Sequence, residues 1–116
     1  MAITYTDDYA TISTTEYSLP ADTTSGVPTS QTTQGVFQFF IDFGNMAAAD
    51  QYRVRLYEKY NAVGTQRLCE EWILTNAQSK PMFITPSVIL GAGWDVTVLR
   101  LAGSDRSILW SIRKIT

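Results

Sequence analysis

The sequence contains no histidine, one cysteine and few charged residues, and each shortage excludes a class of chemistry. Without histidine, the chain lacks the commonest general base and the commonest zinc ligand, and a Ser-His-Asp hydrolase triad is impossible. The single thiol, Cys69, cannot form an internal disulfide, and we expect it to behave as a small buried hydrophobe. We therefore expect no enzyme activity, no metal and no cofactor, and we predict a soluble binding or assembly module.

Long apolar runs and clusters of basic residues are also missing. No segment approaches the ~20 apolar residues of a membrane helix, and the N-terminus does not resemble a signal peptide. Residues 1–52 carry six acidic residues and no Lys or Arg, whereas residues 53–116 carry nine basic and five acidic residues. The basic residues are scattered or alternate with apolar ones, so we expect no nucleic-acid and no membrane partner. The acidic and basic regions could instead meet between subunits.

The length of 116 residues predicts one domain, in which the first 35 residues differ in composition from the rest. Residues 1–35 contain ten Thr and four Ser and are interrupted by prolines, which favours extended chain. We predict an extended arm over 1–13, a short strand over 14–19 and a long loop over 20–35. Residues 36–116 are predicted to form a β-sandwich domain.

From Val36 onward, apolar residues alternate with polar ones in short runs that turn residues separate. This period of two predicts strands over 36–43, 52–60, 65–75, 82–85, 93–103 and 107–115. No run of ten or more residues has helical periodicity. The predicted fold class is therefore all-β, an antiparallel β-sandwich or jelly-roll-like single domain with an extended N-terminal arm. Three tryptophans are assigned to the core: Trp72, Trp94 and Trp110.

Aromatic and charged residues that should point away from the core are the candidate partner-binding residues. On the strand over 52–60 they share the parity opposite to that of the core-facing residues, and an outward Tyr beside Arg is typical of protein interfaces. We predict that an acidic arm docks on this basic strand, in the same or a neighbouring subunit. The candidates are Tyr5, Asp7, Asp8 and Tyr9 of the arm and Arg53, Arg55, Tyr57 and Lys59 of the strand.

Two long stretches, FQFFIDFGNMAAADQYRVRLYEKYNAVGTQRLCEEW and PMFITPSVILGAGWDVTVLRLAGSDRSILWSIRKI, resemble small β-rich virion proteins of tailed bacteriophages. In that group, an apolar strand ending in Asp is followed by an N-x-A-A-x-D connector, a V-R-L-Y-E-K strand and a Gly-Thr hairpin. Its members close with a Gly-x-x-Arg turn, here Gly103 to Arg106, and a Trp strand, here Trp110. The resemblance covers roughly residues 36–116 and rests on structural motifs.

The resemblance implies a structural virion protein, similar to capsid cement or decoration proteins that stabilise a phage head by binding across capsomer boundaries. The implied partners are the major capsid protein and copies of the chain itself, as a homo-trimer. The implied location is the phage head surface, after synthesis in the host cytoplasm. The alternative is a receptor- or glycan-binding module of a phage head or tail fibre, whose site would be exposed aromatics in the loops.

Overall fold

Ten β-strands carry almost all the regular structure of the chain. The computed structural model describes residues 2–115, and no helix occurs among them. The strands are β1 (Ile3–Ile12), β2 (Tyr17–Ser18), β3 (Thr23–Thr24), β4 (Gly35–Asp42), β5 (Gln51–Glu58), β6 (Arg67–Thr75), β7 (Met82–Ile84), β8 (Val88–Leu90), β9 (Asp95–Ala102) and β10 (Arg106–Ile115). The all-β fold predicted from the alternation of apolar and polar residues is confirmed.

The strands form two antiparallel five-stranded sheets that pack against each other. Sheet A has the order β1-β10-β4-β7, with β8 also paired to β4, and sheet B has the order β3-β2-β9-β5-β6. The predicted β-sandwich is therefore confirmed. Strand β1 lies at one open edge of sheet A, and β6 lies at one open edge of sheet B.

The core between the sheets is rich in aromatic rings. Phe37 of sheet A contacts Trp94, which directly precedes β9, with ring centroids 4.8 Å apart. Tyr17 of sheet B contacts Trp110 of sheet A at 5.4 Å. Trp94 and Trp110 are buried, as predicted. Trp72 is only partly buried, because it lies on the edge strand β6.

Residues 3–12, which we expected to form an arm outside the domain, are a strand of the sandwich. All ten pair antiparallel with β10, from Ile3 opposite Ile115 to Ile12 opposite Arg106. The Ile12 side chain is fully buried in the core. The segment is extended, as expected, but its backbone groups bond to a sheet rather than standing free. Since β2 and β3 join sheet B, the sandwich begins at β1 and not at residue 36.

Candidate functional site

The basic strand that we predicted as a docking surface is covered by a residue of the same chain. Glu16, which directly precedes β2, is only 7% exposed and lies over the outer face of sheet B. Its Oε2 accepts hydrogen bonds from the Tyr57 hydroxyl at 3.0 Å and from the Thr97 hydroxyl at 2.8 Å. The same oxygen lies 3.6 Å from Nη2 of Arg53. Tyr57 lies on the outer face of sheet B, as its parity predicts, but Glu16 covers it, so its ring is not exposed as an interface anchor.

The other two basic residues of this strand are also engaged within the chain. Nη2 of Arg55 lies 3.4 Å from Oε1 of Glu71 on β6, and its Nη1 donates to the Tyr57 hydroxyl at 3.4 Å. Burial raises the pKa of Tyr57, which keeps that hydroxyl protonated at neutral pH. The Lys59 side chain lies against Gly93 and leaves no room for a Cβ there. All three basic side chains of this surface therefore make contacts within the chain.

The four candidate residues of β1 are divided between the two faces of sheet A. Ala10 and Ile12 pack on the core, so residues of odd number point outward: Tyr5, Asp7 and Tyr9. Asp8 points to the inner side, where its carboxylate contacts that of Asp22. The pKa of Asp8 is lowered, mainly by the hydrogen bond from the backbone N–H of Tyr9 and secondly by the contact with Asp22. Since β1 belongs to sheet A, these residues do not dock on the basic strand of their own chain.

The strand register extends this outward surface across all of sheet A. Tyr5 lies opposite Arg113, and Tyr9 lies opposite Leu109. Leu109 in turn lies opposite Asp42 of β4. Strand β4 then pairs with β7 and β8, where Asp42 lies opposite Met82 and Val36 lies opposite Ile89. We call this surface the outer face of sheet A, and its residues are Ile3, Tyr5, Asp7, Tyr9, Val36, Gln38, Phe40, Asp42, Met82, Ile84, Ile89, Leu109, Ser111, Arg113 and Ile115.

Large apolar side chains dominate this face. The exposed fraction is between 39% and 83% for Ile3, Tyr5, Tyr9, Met82, Ile84, Ile89, Leu109 and Ile115. Since a large side chain has about 150–250 Å² of surface, these residues together expose roughly 800 Å². Single soluble chains rarely expose a contiguous apolar patch above about 300–600 Å². The outer face of sheet A is therefore the strongest candidate binding surface.

A stacked arginine lies at the centre of the face. Cζ of Arg113 is 3.7 Å from the ring centroid of Phe40 and 5.1 Å from that of Tyr5. Its Nε donates to the Ser111 hydroxyl at 3.3 Å, and no carboxylate of residues 2–115 lies within ion-pair distance of it. Two hollows, of about 190 and 130 Å³, flank Phe40 and Arg113. The face thus offers a cation and two recesses to a partner.

A second concave feature lies on the inner side of sheet A, between its strands and the loop residues that follow β2 and β3. This cleft of about 310 Å³ is lined by Thr4, Thr6, Pro20, Gln31, Thr33, Phe37, Trp94, Ile112 and Lys114. Trp94 forms part of its floor but is only 2% exposed, and its Nε1 donates to the carbonyl oxygen of Thr33 at 2.8 Å. The cleft therefore offers threonine hydroxyls, the Gln31 amide and the Lys114 ammonium rather than a free aromatic ring.

The other side chains that could react or bind a metal do not cluster in the described part of the chain. Cys69 is exposed on β6, so the expectation that it is buried is wrong, and partial burial raises the pKa of its thiol. Across residues 2–115, no three His, Cys, Asp or Glu side chains lie close enough together to hold a metal ion. In the same part of the chain, no helix has the length and the apolar sequence needed to cross a membrane.

The sequence analysis named only the β1 residues Tyr5, Asp7 and Tyr9 of the outer face of sheet A, although the sequence also carries a signal for the rest of it. Strand β4 has apolar residues on both parities, with Phe37 and Phe39 facing the core and Val36 and Phe40 facing outward. Strand β10 repeats this pattern with Leu109 and Ile115. A sheet that is apolar on both faces needs a cover on both faces.

Comparisons with known proteins do not assign this chain to a family. No protein-family model matches it, and no curated protein is significantly similar to it.

Proposed function

We propose that this chain is a structural virion protein of the capsid cement or decoration type, which stabilises a phage head by binding across capsomer boundaries. The observation that carries the proposal is the outer face of sheet A, where eight large hydrophobic residues together expose roughly 800 Å² on a single chain. A protein present in many copies on a lattice has protein neighbours that cover such a face. The resemblance of residues 36–116 to small virion proteins supports the same function.

The mechanism of stabilisation would be selective binding to the assembled shell. A protein that binds the assembled shell and not the free subunits stabilises the shell by mass action. The gain is about 2.7 kcal/mol per site when the free concentration of the protein is 100 times its Kd. The work is done by buried surface, and no bond is made or broken. The candidate residues Tyr5, Asp7 and Tyr9 lie on the face that would be buried.

The test is binding of the purified chain to empty phage capsids that lack decoration, measured by co-sedimentation and by the thermal stability of the shell. We expect saturation at hundreds of copies per head and a higher melting temperature of the shell. Leu109→Glu, which places a charge in the outer face of sheet A, should weaken binding. Leu101→Glu is the matched control, because Leu101 is similarly exposed but lies on β9 of sheet B.

Absence of saturable binding, or equal binding by the two variants, would contradict the proposal. A few copies at the tail would favour a receptor-binding protein instead.

A second candidate, a receptor- or glycan-binding module, is favoured by the cleft of about 310 Å³. Threonine hydroxyls and the Gln31 amide line it, and such groups bind sugar hydroxyls. The exposed loop aromatic that this function would also use is Tyr60, at the tip of the β5–β6 hairpin. A glycan array would test it, with Gln31→Ala as the variant that should lose the signal and Tyr60→Ala as a second.

A further inference from the structure

We propose that the outer face of sheet A is covered by the same face of a second copy of this chain, so that two copies form an isologous dimer. The inference rests on the proposed function, because it names which neighbour covers the face. It also departs from the trimer that the sequence resemblance implies, since a twofold contact between identical faces closes after two copies.

The size of the face fits this occupant. A stable protein interface buries about 800 Å² on each partner, and the exposed apolar side chains of the face supply roughly that area. The interfaces of permanent homodimers are also more apolar than the ordinary protein surface. Since Phe40 and Arg113 separate two hollows, exposed side chains such as Leu109 or Ile84 of a second copy have recesses to enter.

Two of the three charged residues of the face, Arg113 and Asp7, are complementary to each other across a twofold axis, and the third, Asp42, accepts a hydrogen bond from the backbone N–H of Gly44 at 2.8 Å. Arg113 carries a positive charge with no carboxylate of the described chain within ion-pair distance, and Asp7 carries a negative charge with no cation of the described chain within that distance. Asp7 lies opposite Ser111, two residues along β10 from Arg113. Under a twofold axis between them, Arg113 of each copy meets Asp7 of the other, so that one geometry forms two ion pairs. A partner of one charge sign would satisfy only one of these groups.

Pairing of two copies at their sheet edges is disfavoured by charge. The open edge strand β1 has Asp7 and Asp8 side by side, and the open edge strand β6 has Glu70 and Glu71. Adding a second β1 or β6 at either edge would bring acidic side chains together, and charges on edge strands are a common protection against such pairing. Charge therefore disfavours self-association through these two sheet edges.

The test is the mass of the chain in solution, measured by sedimentation equilibrium or light scattering between about 1 and 100 µM. We expect the wild-type chain to have twice the mass of one chain. Arg113→Glu and Asp7→Arg should each weaken the dimer about tenfold or more, because each variant brings two pairs of like charges together. Lys80→Glu is the control: it changes net charge as much as Arg113→Glu does, but it lies in the loop between β6 and β7.

The most discriminating experiment is to mix the two variants and to measure the mass of the mixture. In a heterodimer of Arg113→Glu with Asp7→Arg, both ion pairs are restored, one in the native sense and one reversed. We expect the mixture to dimerise although each variant alone does not. Circular dichroism melts of each variant establish that it is folded, and the mixture remains informative if one variant is somewhat destabilised.

A wild-type chain that is monomeric or trimeric over the whole range would overturn the inference, as would single variants that dimerise like the wild type or a mixture that stays monomeric. Capsid binding separates the two proposals. A monomer that binds capsids refutes the dimer and leaves the decoration function, whereas a dimer that does not bind capsids leaves the inference and refutes the function.

Discussion

Replacing Glu16 by alanine should destabilise the fold much more than removal of a partly exposed carboxylate of sheet B, such as that of Glu71. The carboxylate is buried and accepts hydrogen bonds from Tyr57 and Thr97, and it lies 3.6 Å from the Arg53 guanidinium. Its loss leaves two hydroxyls and one cation without this partner beneath the segment that precedes β2. The substitution therefore tests whether this surface is a self-contained polar cluster or a site held ready for another molecule.

The expected loss of stability follows from the number of hydrogen-bond and ion-pair partners that Glu16→Ala leaves without their acceptor. A buried polar group left without its partner costs about 1–3 kcal/mol, and some of that cost is recovered because water can enter the space. We expect about 3 kcal/mol for Glu16→Ala and about 1 kcal/mol for Glu16→Gln, which keeps an acceptor oxygen. For a chain of this length, each kcal/mol lowers the melting temperature by about 4 °C, so the alanine variant should melt about 12 °C lower.

The assay is thermal and urea unfolding followed by circular dichroism, with Glu71→Ala as the control. Glu71 pairs with Arg55 at 3.4 Å, but its side chain is 35% exposed, so its loss should cost about 0.5 kcal/mol or less. Equal shifts for Glu16→Ala and Glu71→Ala would refute the reasoning. The Tyr57 environment would then be open to solvent, and the basic strand would again be a candidate docking surface.

Three further changes have expected outcomes. Gly103→Ala should destabilise the fold by about 2 kcal/mol in urea unfolding, because φ is +85° and a Cβ would collide with Asp50. The hydrogen bond from Arg106, helped by two backbone amides, lowers the pKa of Asp50 to about 2 from an ordinary 3.8. The ionised Asp50 carboxylate therefore adds its full stability above about pH 4, and this stability is lost as the pH falls toward 2. Unfolding experiments at pH 5 and pH 2.5 measure the loss. In Asp50→Asn, this part of the acid dependence should vanish. Deletion of residues 2–12 should lower the melting temperature sharply, because β1 pairs over its whole length with β10; an unchanged melt would make this segment a dispensable arm.

The inner faces of the strands could be predicted from the sequence because they depend only on local alternation. In β4, Phe37, Phe39 and Ile41 share one parity, and all three are buried. On β5, Val54 and Leu56 follow the same rule. A strand places successive side chains on opposite faces whatever its neighbours are, so this part of the fold follows from the spacing alone.

The cover over each outer face could not be predicted in this way, because it depends on contacts between distant residues. Glu16 lies 41 residues before Tyr57, and no local pattern indicates that the two meet. The same limit applies to β1: its Thr- and Tyr-rich sequence predicts extended chain, but its partner β10 lies at the other end of the protein. Cys69 was misassigned because the strand that carries it is at a sheet edge.

The most direct test of the central claim is an electron cryomicroscopy reconstruction of phage capsids saturated with this chain. If the proposed function is correct, the reconstruction will contain ordered density for the sandwich at capsomer boundaries, in hundreds of copies, with the outer face of sheet A buried against a neighbouring protein. Ordered copies whose outer face of sheet A, including Tyr5 and Leu109, points into solvent would contradict it, and so would capsids that carry no density for the chain.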